Sequence, residues 1–197
     1  MFLFKEKKEL QIVIEGLQSD GVMLSPSDTV LGLFAQLSEK SKNKLDLIKQ
    51  RDIKPYIILL SSAHLLYDYI DQDLDSTMKK IITTYWPGPL TIIFKAKTIL
   101  PDWLQGQDGT IAIRVPQHET LQQILEHVDS LFSTSANISG EVVATKIADV
   151  HPLIKEKVDM VCGDHHVSYN EQASTIIDFS TGVLQILRQG AVKLDSI

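Results

Sequence analysis

The sequence predicts a mixed α/β fold in which one twisted sheet is flanked by helices. Helical patterns, with apolar residues three and four apart, alternate with short apolar runs of strand length. Two or three pairs of these runs have no helix between them, as antiparallel neighbours allow and parallel neighbours do not. The chain has 197 residues, of which 44% are hydrophobic, which suits one globular domain. We therefore expect a single domain over 1–197 with a mixed sheet.

The first half of the chain predicts four helices around short apolar strands. Leu10, Val13, Ile14 and Leu17 follow the spacing of a helical face over 5–19. Further helices are expected over 41–50, with Ser41 or Asn43 as the N-cap, and over 63–71 and 74–85. The last of these must end at Trp86-Pro87, since a proline disfavours helix before it. Apolar runs at 21–25, 30–37 and 56–62 supply the strands.

The second half continues the alternation with more strands than helices. Strands are expected over 90–96, 110–115, 160–162, 174–179 and 183–188, and one helix over 118–129. Residues 130–132 lead into a hydroxyl-rich loop at 133–140, followed by a possible helix start.

Charge and composition exclude several broad classes of protein. The net charge of −6 argues against a general binder of nucleic acid or membrane surfaces, which needs a basic field. No apolar run approaches the roughly 20 residues of a membrane span. The start MFLFKEKKEL lacks the apolar core of a secretory signal, and the single cysteine fits a reducing compartment. We expect a cytoplasmic protein.

Arginine is rare in this lysine-rich chain, so each arginine is a candidate for a role that lysine cannot fill. There are 16 lysines but three arginines, Arg51, Arg114 and Arg188. A guanidinium matches carboxylate and phosphate groups in a way that lysine does not. Arg51 lies in the cationic segment 49–55, which could neutralise phosphate or simply complement a helix dipole. Arg114 and Arg188 end apolar strands, where a solvated terminus is the simpler interpretation.

Two hydroxyl-rich segments could bind a polar ligand, and other familiar motifs are absent or weak. SPSDTVLGL at 25–33 and STSANISG at 133–140 offer hydroxyl and backbone donors, or are ordinary turns. The chain lacks GxxxxGK[ST], GxGxxG and GxSxG motifs. The cluster Cys162–His166 has no second pair of metal ligands, so we expect no protein metal site.

Seven segments, taken in chain order, resemble the YrdC family, whose enzymes make threonylcarbamoyl-AMP for the t6A modification of tRNA. The resemblance covers about residues 10–192. Its segments are SPSDTVLGL (25–33), KQR (49–51), YWPGPLTIIF (85–94), GTIAIRVPQH (109–118), STSANISG (133–140), STIIDF (174–179) and ILRQGAV (186–192). Against the family pattern, Ser25 and Leu31 replace tyrosines and Ser27 replaces a threonine.

The resemblance implies a YrdC-like fold with a concave basic site that joins L-threonine, bicarbonate or CO2 and ATP, with Mg²⁺, into threonylcarbamoyl-AMP and pyrophosphate. It implies a catalytic role for Lys49 and Arg51. It further implies ATP contacts from Lys49, Arg51, Thr110, Ser135, Asn137, Val143 and Arg188. Threonine contacts would come from Ser27, Thr29, Lys54, Arg114, Ser133 and Ser174.

Two alternatives follow from the same resemblance. The concave surface could hold double-stranded RNA or tRNA without catalysis, and proteins of t6A transfer could be partners. The altered segment SPSDTVL also allows a paralogue that uses another amino acid or carbamoyl donor.

Overall fold

In the part of the chain that the structure describes, nine strands form one mixed sheet, in the spatial order β7-β1-β2-β6-β3-β5-β4-β8-β9. The computed structural model describes residues 7–50, 55–106, 108–164 and 166–194. The strands are β1 (Val22–Ser25), β2 (Gly32–Gln36), β3 (Ile57–Leu60), β4 (Leu90–Lys95), β5 (Thr110–Arg114), β6 (Ser130–Ser135), β7 (Met160–Val161), β8 (Thr175–Asp178) and β9 (Gln185–Arg188). The pairs β1–β7, β3–β5 and β4–β8 are parallel and the other neighbours are antiparallel. The predicted mixed sheet is confirmed. That 1–197 forms one domain stays a prediction.

One helix precedes the first strand, the others lie in the connections between strands, and four of the described helices begin at a side-chain cap. They are α1 (Lys7–Gln18), α2 (Glu39–Lys49), α3 (Leu66–Tyr69), α4 (Ser76–Tyr85), α5 (Glu119–Val128) and α6 (Pro152–Lys157), with single 3₁₀ turns at Ala63–Leu65, Asp102–Leu104 and Ile147–Asp149. Asp75 caps α4 by accepting the Met78 N–H at 2.7 Å. None of the described helices is long and apolar enough to cross a membrane.

Four local predictions were wrong. The N-cap of α2 is Ser38, not Ser41 or Asn43, and its Oγ accepts the Ser41 N–H at 3.0 Å. The helix expected over 63–71 shrinks to a 3₁₀ turn and one helical turn. Residues 133–135 continue strand β6 because β2 and β3 pair with it on both sides, so sheet pairing overrides the turn tendency of hydroxyl residues. No helix begins directly after residue 140, and α6 starts at residue 152.

Alternating residues of the strands divide the core between the two faces of the sheet. The larger cluster includes Leu45 of α2 and Met78 of α4. The smaller cluster packs Leu17 of α1 and Leu125 of α5 against Phe34 and other strand residues. Because side chains alternate along a strand, the residues of β2 two positions before and after Phe34 lie on the same face of the sheet as Phe34.

Candidate active site

A cleft of about 430 Å³ opens on the face of the sheet that carries Phe34. Gly32 and Phe34 of β2, Ile57 of β3 and Ile176 of β8 form part of its wall. Among the described residues, its polar lining consists of hydroxyl side chains and two arginines: Ser27, Thr29, Ser133, Thr134, Ser135, Ser174, Arg114 and Arg188. A lining rich in neutral donors and cations suits an anionic ligand.

Arg114 is buried in the wall of this cleft and pairs with a carboxylate from a distant loop. Its side chain is 2% exposed, and its Nη1 donates to Asp28 Oδ1 at 2.8 Å and to Thr29 Oγ1 at 3.3 Å. Within the described residues its Nε–H is buried without an acceptor. Burial lowers the pKa of the guanidinium, the charge of Arg188 adds to that shift, and Asp28 opposes it. A ligand oxygen would complete the hydrogen bonding of this group.

The loop between β1 and β2 is held by its own hydroxyl groups. Ser27 Oγ accepts the Thr29 N–H at 3.0 Å, donates to the Val30 carbonyl at 2.9 Å and lies 2.9 Å from Thr29 Oγ1. This arrangement is a side-chain turn of the kind that serine favours. It places the buried hydroxyls of Ser27 and Thr29 in the cleft beside Arg114.

Arg188 also lines the cleft and binds the backbone that precedes β8. Its Nε and Nη2 donate to the Ser174 carbonyl at 3.0 and 2.8 Å, and Nη2 lies 3.1 Å from Ser174 Oγ. Ser174 Oγ in turn lies 2.9 Å from Thr91 Oγ1 on β4. Partial burial lowers the pKa of the Arg188 guanidinium. The residue as a whole remains exposed, so its charge is accessible to a ligand.

The segment that follows Arg188 wraps around the start of β8. The Thr175 hydroxyl donates to the Val192 carbonyl at 2.6 Å and accepts the N–H groups of Gly190 and Val192. A Cβ at Gly190 would clash sterically with the backbone of Ala173 and Ser174. Glycine therefore lets this segment approach closely enough to hold Arg188 in the cleft wall.

Gly190→Ala should destabilise the protein by more than about 2 kcal/mol, because the new methyl group meets backbone that cannot move aside. Urea unfolding measures this change. Gly182→Ala is the matched control: it has a φ of +81° but open space around its Cβ, so it should cost about 1 kcal/mol. Equal losses for the two variants would contradict the packing argument.

A second compartment of about 380 Å³ adjoins the first and shares part of its wall. Val30, Ser135, Ala173 and Arg188 line both compartments. The second is otherwise lined by Val142, Val143, Ala144, Thr145, Asn170 and Glu171. One compartment is thus rich in hydroxyls around a buried arginine, the other combines aliphatic side chains with polar ones that include Asn170 and Glu171, and Arg188 and Ser135 line both.

Lys49 is buried at the end of α2 and holds the segment that follows β6. Its Nζ donates to the carbonyls of Ser135 and Asn137 at 2.5 and 2.6 Å and to Asn137 Oδ1 at 2.8 Å. The backbone carbonyl of Lys49 accepts the Ser139 N–H at 3.1 Å. The lysine therefore orders the segment that separates the two compartments.

The structure brings most of the predicted site residues together. Ser27, Thr29, Arg114, Ser133 and Ser174, all predicted to bind the amino acid, line the first compartment. Ser135, Val143 and Arg188, predicted for the nucleotide, line the second, and Lys49 and Asn137 lie directly behind Ser135. Arg51 and Lys54 lie outside the described residues.

Thr110 is not brought into this group. It starts β5, four residues and so about 13 Å along the strand from Arg114, and its hydroxyl donates to Asp108 at 2.7 Å. Both compartments are lined by other residues.

Sequence reasoning missed Asp28 and Thr91, which support the site. Asp28 is the charged residue within SPSDTVLGL, and that position was a usable signal. Thr91 is fully buried on β4, and a threonine in an apolar strand gives no such signal. Cys162 is also buried, which raises the pKa of its thiol to about 12, as expected of an inert core thiol.

The fold and the cleft define a YrdC-like protein, in which one face of a mixed sheet carries a polar cleft of two joined compartments. A model of the Sua5/YciO/YrdC family, described as telomere recombination, matches residues 15–190. The chain belongs to the Sua5/YciO/YrdC family.

Individual relatives agree with this assignment. The chain is 33% identical over 182 residues to a threonylcarbamoyl-AMP synthase of Photorhabdus laumondii, covering 90% of this chain and 94% of that protein. It resembles the P. abyssi Sua5 structure in complex with L-threonine, with a TM-score of 0.84 at 25% identity, over 94% of this chain and 55% of that one. The chain thus spans about half of that Sua5 structure. E. coli YciO, at 20% identity, matches the fold with a TM-score of 0.85, covering 96% of this chain and 93% of YciO.

Proposed function

We propose that this protein is an L-threonylcarbamoyladenylate synthase, a nucleotidyltransferase that supplies the t6A modification of tRNA. The threonine amine combines with bicarbonate to give a carbamate and water. A carbamate oxygen then attacks the α-phosphorus of ATP, the bond to the β-phosphate oxygen breaks, and pyrophosphate leaves. The products are threonylcarbamoyl-AMP and pyrophosphate.

One observation carries this proposal: the two compartments meet at Ser135 and Arg188. Two substrates must be held with their reacting atoms in contact, and adjoining compartments with a shared cationic wall suit that task. The relatives named threonylcarbamoyl-AMP synthase support the choice of substrates.

We assign the amino acid to the first compartment. The Arg114 guanidinium would bind its carboxylate, since a planar fork matches a carboxylate. The hydroxyls of Ser27, Thr29, Ser133 and Ser174, all buried in this wall, would bind the remaining polar groups. The Lys54 role carries over from the family resemblance alone.

We assign ATP to the second compartment and its triphosphate to the boundary. The apolar side chains of Val142, Val143 and Ala144 offer a surface for a nucleobase, and Arg188 and Ser135 would contact phosphate oxygens. Lys49 would hold Ser135 and Asn137 in place for that contact. The role of Arg51, to stabilise charge on the reacting phosphate, carries over from the family resemblance alone.

Mg²⁺ would enter with ATP. Within the described residues, no group of three or more histidine, cysteine, aspartate or glutamate side chains could hold a metal ion. Phosphate oxygens and water, which Mg²⁺ commonly keeps as ligands, would therefore supply most of its coordination. When bound, it would neutralise phosphate charge.

The test is release of pyrophosphate from ATP by the purified protein, with threonine, bicarbonate or Mg²⁺ omitted in turn. We expect turnover only with all of them present, and a threonylcarbamoyl-AMP product by mass spectrometry. Turnover that ignores threonine, or that prefers another amino acid in a panel of all twenty, would refute the assignment.

The product would pass to the proteins that transfer the threonylcarbamoyl group to tRNA. A mixed anhydride of this kind is reactive toward water, so transfer must follow synthesis closely. We propose that the protein acts in the cytoplasm. ATP and tRNA are present there, and a single cysteine fits a reducing compartment.

A further inference from the structure

We infer that Asp28 is a positioning residue: it holds the Arg114 guanidinium by Nη1 so that the Nε edge is reserved for the carboxylate of the amino-acid substrate. The inference rests on the proposed function for the identity of that substrate. The positioning itself can be measured without any turnover.

The contacts of Arg114 are one-sided. Both of its hydrogen bonds to described residues, to Asp28 Oδ1 and to Thr29 Oγ1, are made by Nη1. The Nε–H, on the other side of the guanidinium, is buried without an acceptor in the described part of the chain. A buried donor left unpaired is costly, so an acceptor brought by a ligand would gain more at this atom than at a solvated one.

Asp28 can hold the guanidinium because it is itself fixed from two further sides. Its Oδ2 accepts the Gln117 N–H at 3.0 Å, and its backbone carbonyl accepts Asn170 Nδ2 at 3.1 Å. Its side chain is 7% exposed. The carboxylate therefore joins the β1–β2 loop to the segment after β5, and it cannot follow Arg114 if the guanidinium rotates.

The same pair keeps a charged guanidinium in a buried wall. Burial alone favours the neutral form of a base, and a buried charge without a partner is strongly destabilising. With Asp28 in place the pair is neutral before the ligand binds. The arriving carboxylate then meets an oriented donor edge, which reduces the ordering cost of binding.

The experiment uses the full chain and the small number of arginines. Three arginines give three Nε–Hε cross-peaks in a ¹⁵N NMR spectrum, and the peak missing from Arg114→Lys identifies Arg114. In Asp28→Asn, which keeps the shape but not the charge, we expect this peak to broaden or to exchange with water at least about tenfold faster in the ligand-free protein. We also expect the threonine KM to rise about tenfold or more, with kcat and the ATP KM within about twofold.

Asp159→Asn is the matched control. Asp159 also joins a cation, Lys44, to a backbone N–H, that of Val22, but neither compartment is lined by it. We expect its Arg114 signal and its threonine KM to match the parent. If Asp28→Asn fails to fold, Asp28→Ala with added formate replaces it, and recovery of the parent threonine KM by formate supports the inference.

The possible failures are separable. An Asp28→Asn protein that folds and keeps both the parent Arg114 signal and the parent threonine KM overturns the positioning role. A parent protein that releases no pyrophosphate with threonine overturns the proposed function instead, and the ligand-free Arg114 signal still decides the role of Asp28.

Discussion

Arg114→Lys should raise the threonine KM by about 30-fold or more while the ATP KM stays within about twofold. A lysine keeps the charge beside Asp28 but cannot make two parallel hydrogen bonds to a carboxylate. Loss of such a pair in a buried site costs about 2 kcal/mol or more, and about 1.4 kcal/mol corresponds to a factor of ten. Steady-state pyrophosphate release with each substrate varied separately measures both constants.

The design contains its own control for folding. Breaking the pair altogether would cost about 3–5 kcal/mol. Because the lysine can still pair with Asp28, we expect the free energy of unfolding of the variant to lie within about 1.5 kcal/mol of the parent value. A threonine KM that does not change, in a protein that folds normally, would remove Arg114 from the amino-acid site.

Lys49→Met should lower kcat/KM for ATP by about 100-fold or more and destabilise the protein by about 2–4 kcal/mol. The methionine fills similar space but leaves the carbonyls of Ser135 and Asn137, and the Asn137 side-chain oxygen, without their shared donor. The Ser135 carbonyl keeps the Asn137 N–H and Asn137 Oδ1 keeps the Ser135 hydroxyl, so the Asn137 carbonyl is the acceptor that loses its donor. An acceptor left unpaired costs about 1–3 kcal/mol, and the segment between the compartments also loses the hydrogen bonds of Lys49 that order it.

Lys40→Met on the same helix is the control for that experiment. Its side chain is 78% exposed and its ion pair with Asp20 lies at the surface. We expect Lys40→Met to lower the free energy of unfolding by less than about 1 kcal/mol and to leave kcat/KM for ATP unchanged. Equal effects of the two substitutions would mean that Lys49 contributes only a general surface charge.

The sequence was a good guide to the strands and to the residues at their ends. Arg114 and Arg188 were predicted at the ends of apolar strands, and the structure places both in one cleft wall. Patterns of this kind depend on the chain immediately around each residue, which is why they could be recognised.

Contacts between residues far apart in the sequence could not be predicted from such local patterns. Asp28 meets Arg114 across 86 positions, and Lys49 meets Ser135 across the same distance. The cationic segment at 49–55 was expected to neutralise phosphate or to complement a helix dipole. That Lys49 is 2% exposed and donates to backbone carbonyls of a distant segment could not be predicted. Which strands lie beside one another decides such contacts, and no local pattern encodes that order.

The positions of residues 133–135 illustrate the same limit from the opposite direction. Serine and threonine in series favour turns locally, but β2 and β3 supply ladder partners on both sides of this segment. The strand therefore extends to Ser135 and carries the hydroxyl groups into the cleft. The turn begins only after Ser135, in the segment that Lys49 holds by hydrogen bonds.

The central claim is that one cleft holds an amino-acid carboxylate and a triphosphate side by side. A crystal structure with L-threonine and a non-hydrolysable ATP analogue tests it most directly. We predict the threonine carboxylate on Arg114 in the first compartment, and the α-phosphate at the boundary formed by Ser135 and Arg188, within reach of the amine. Ligands bound on separate faces of the protein, or a triphosphate that avoids Arg188, would contradict it.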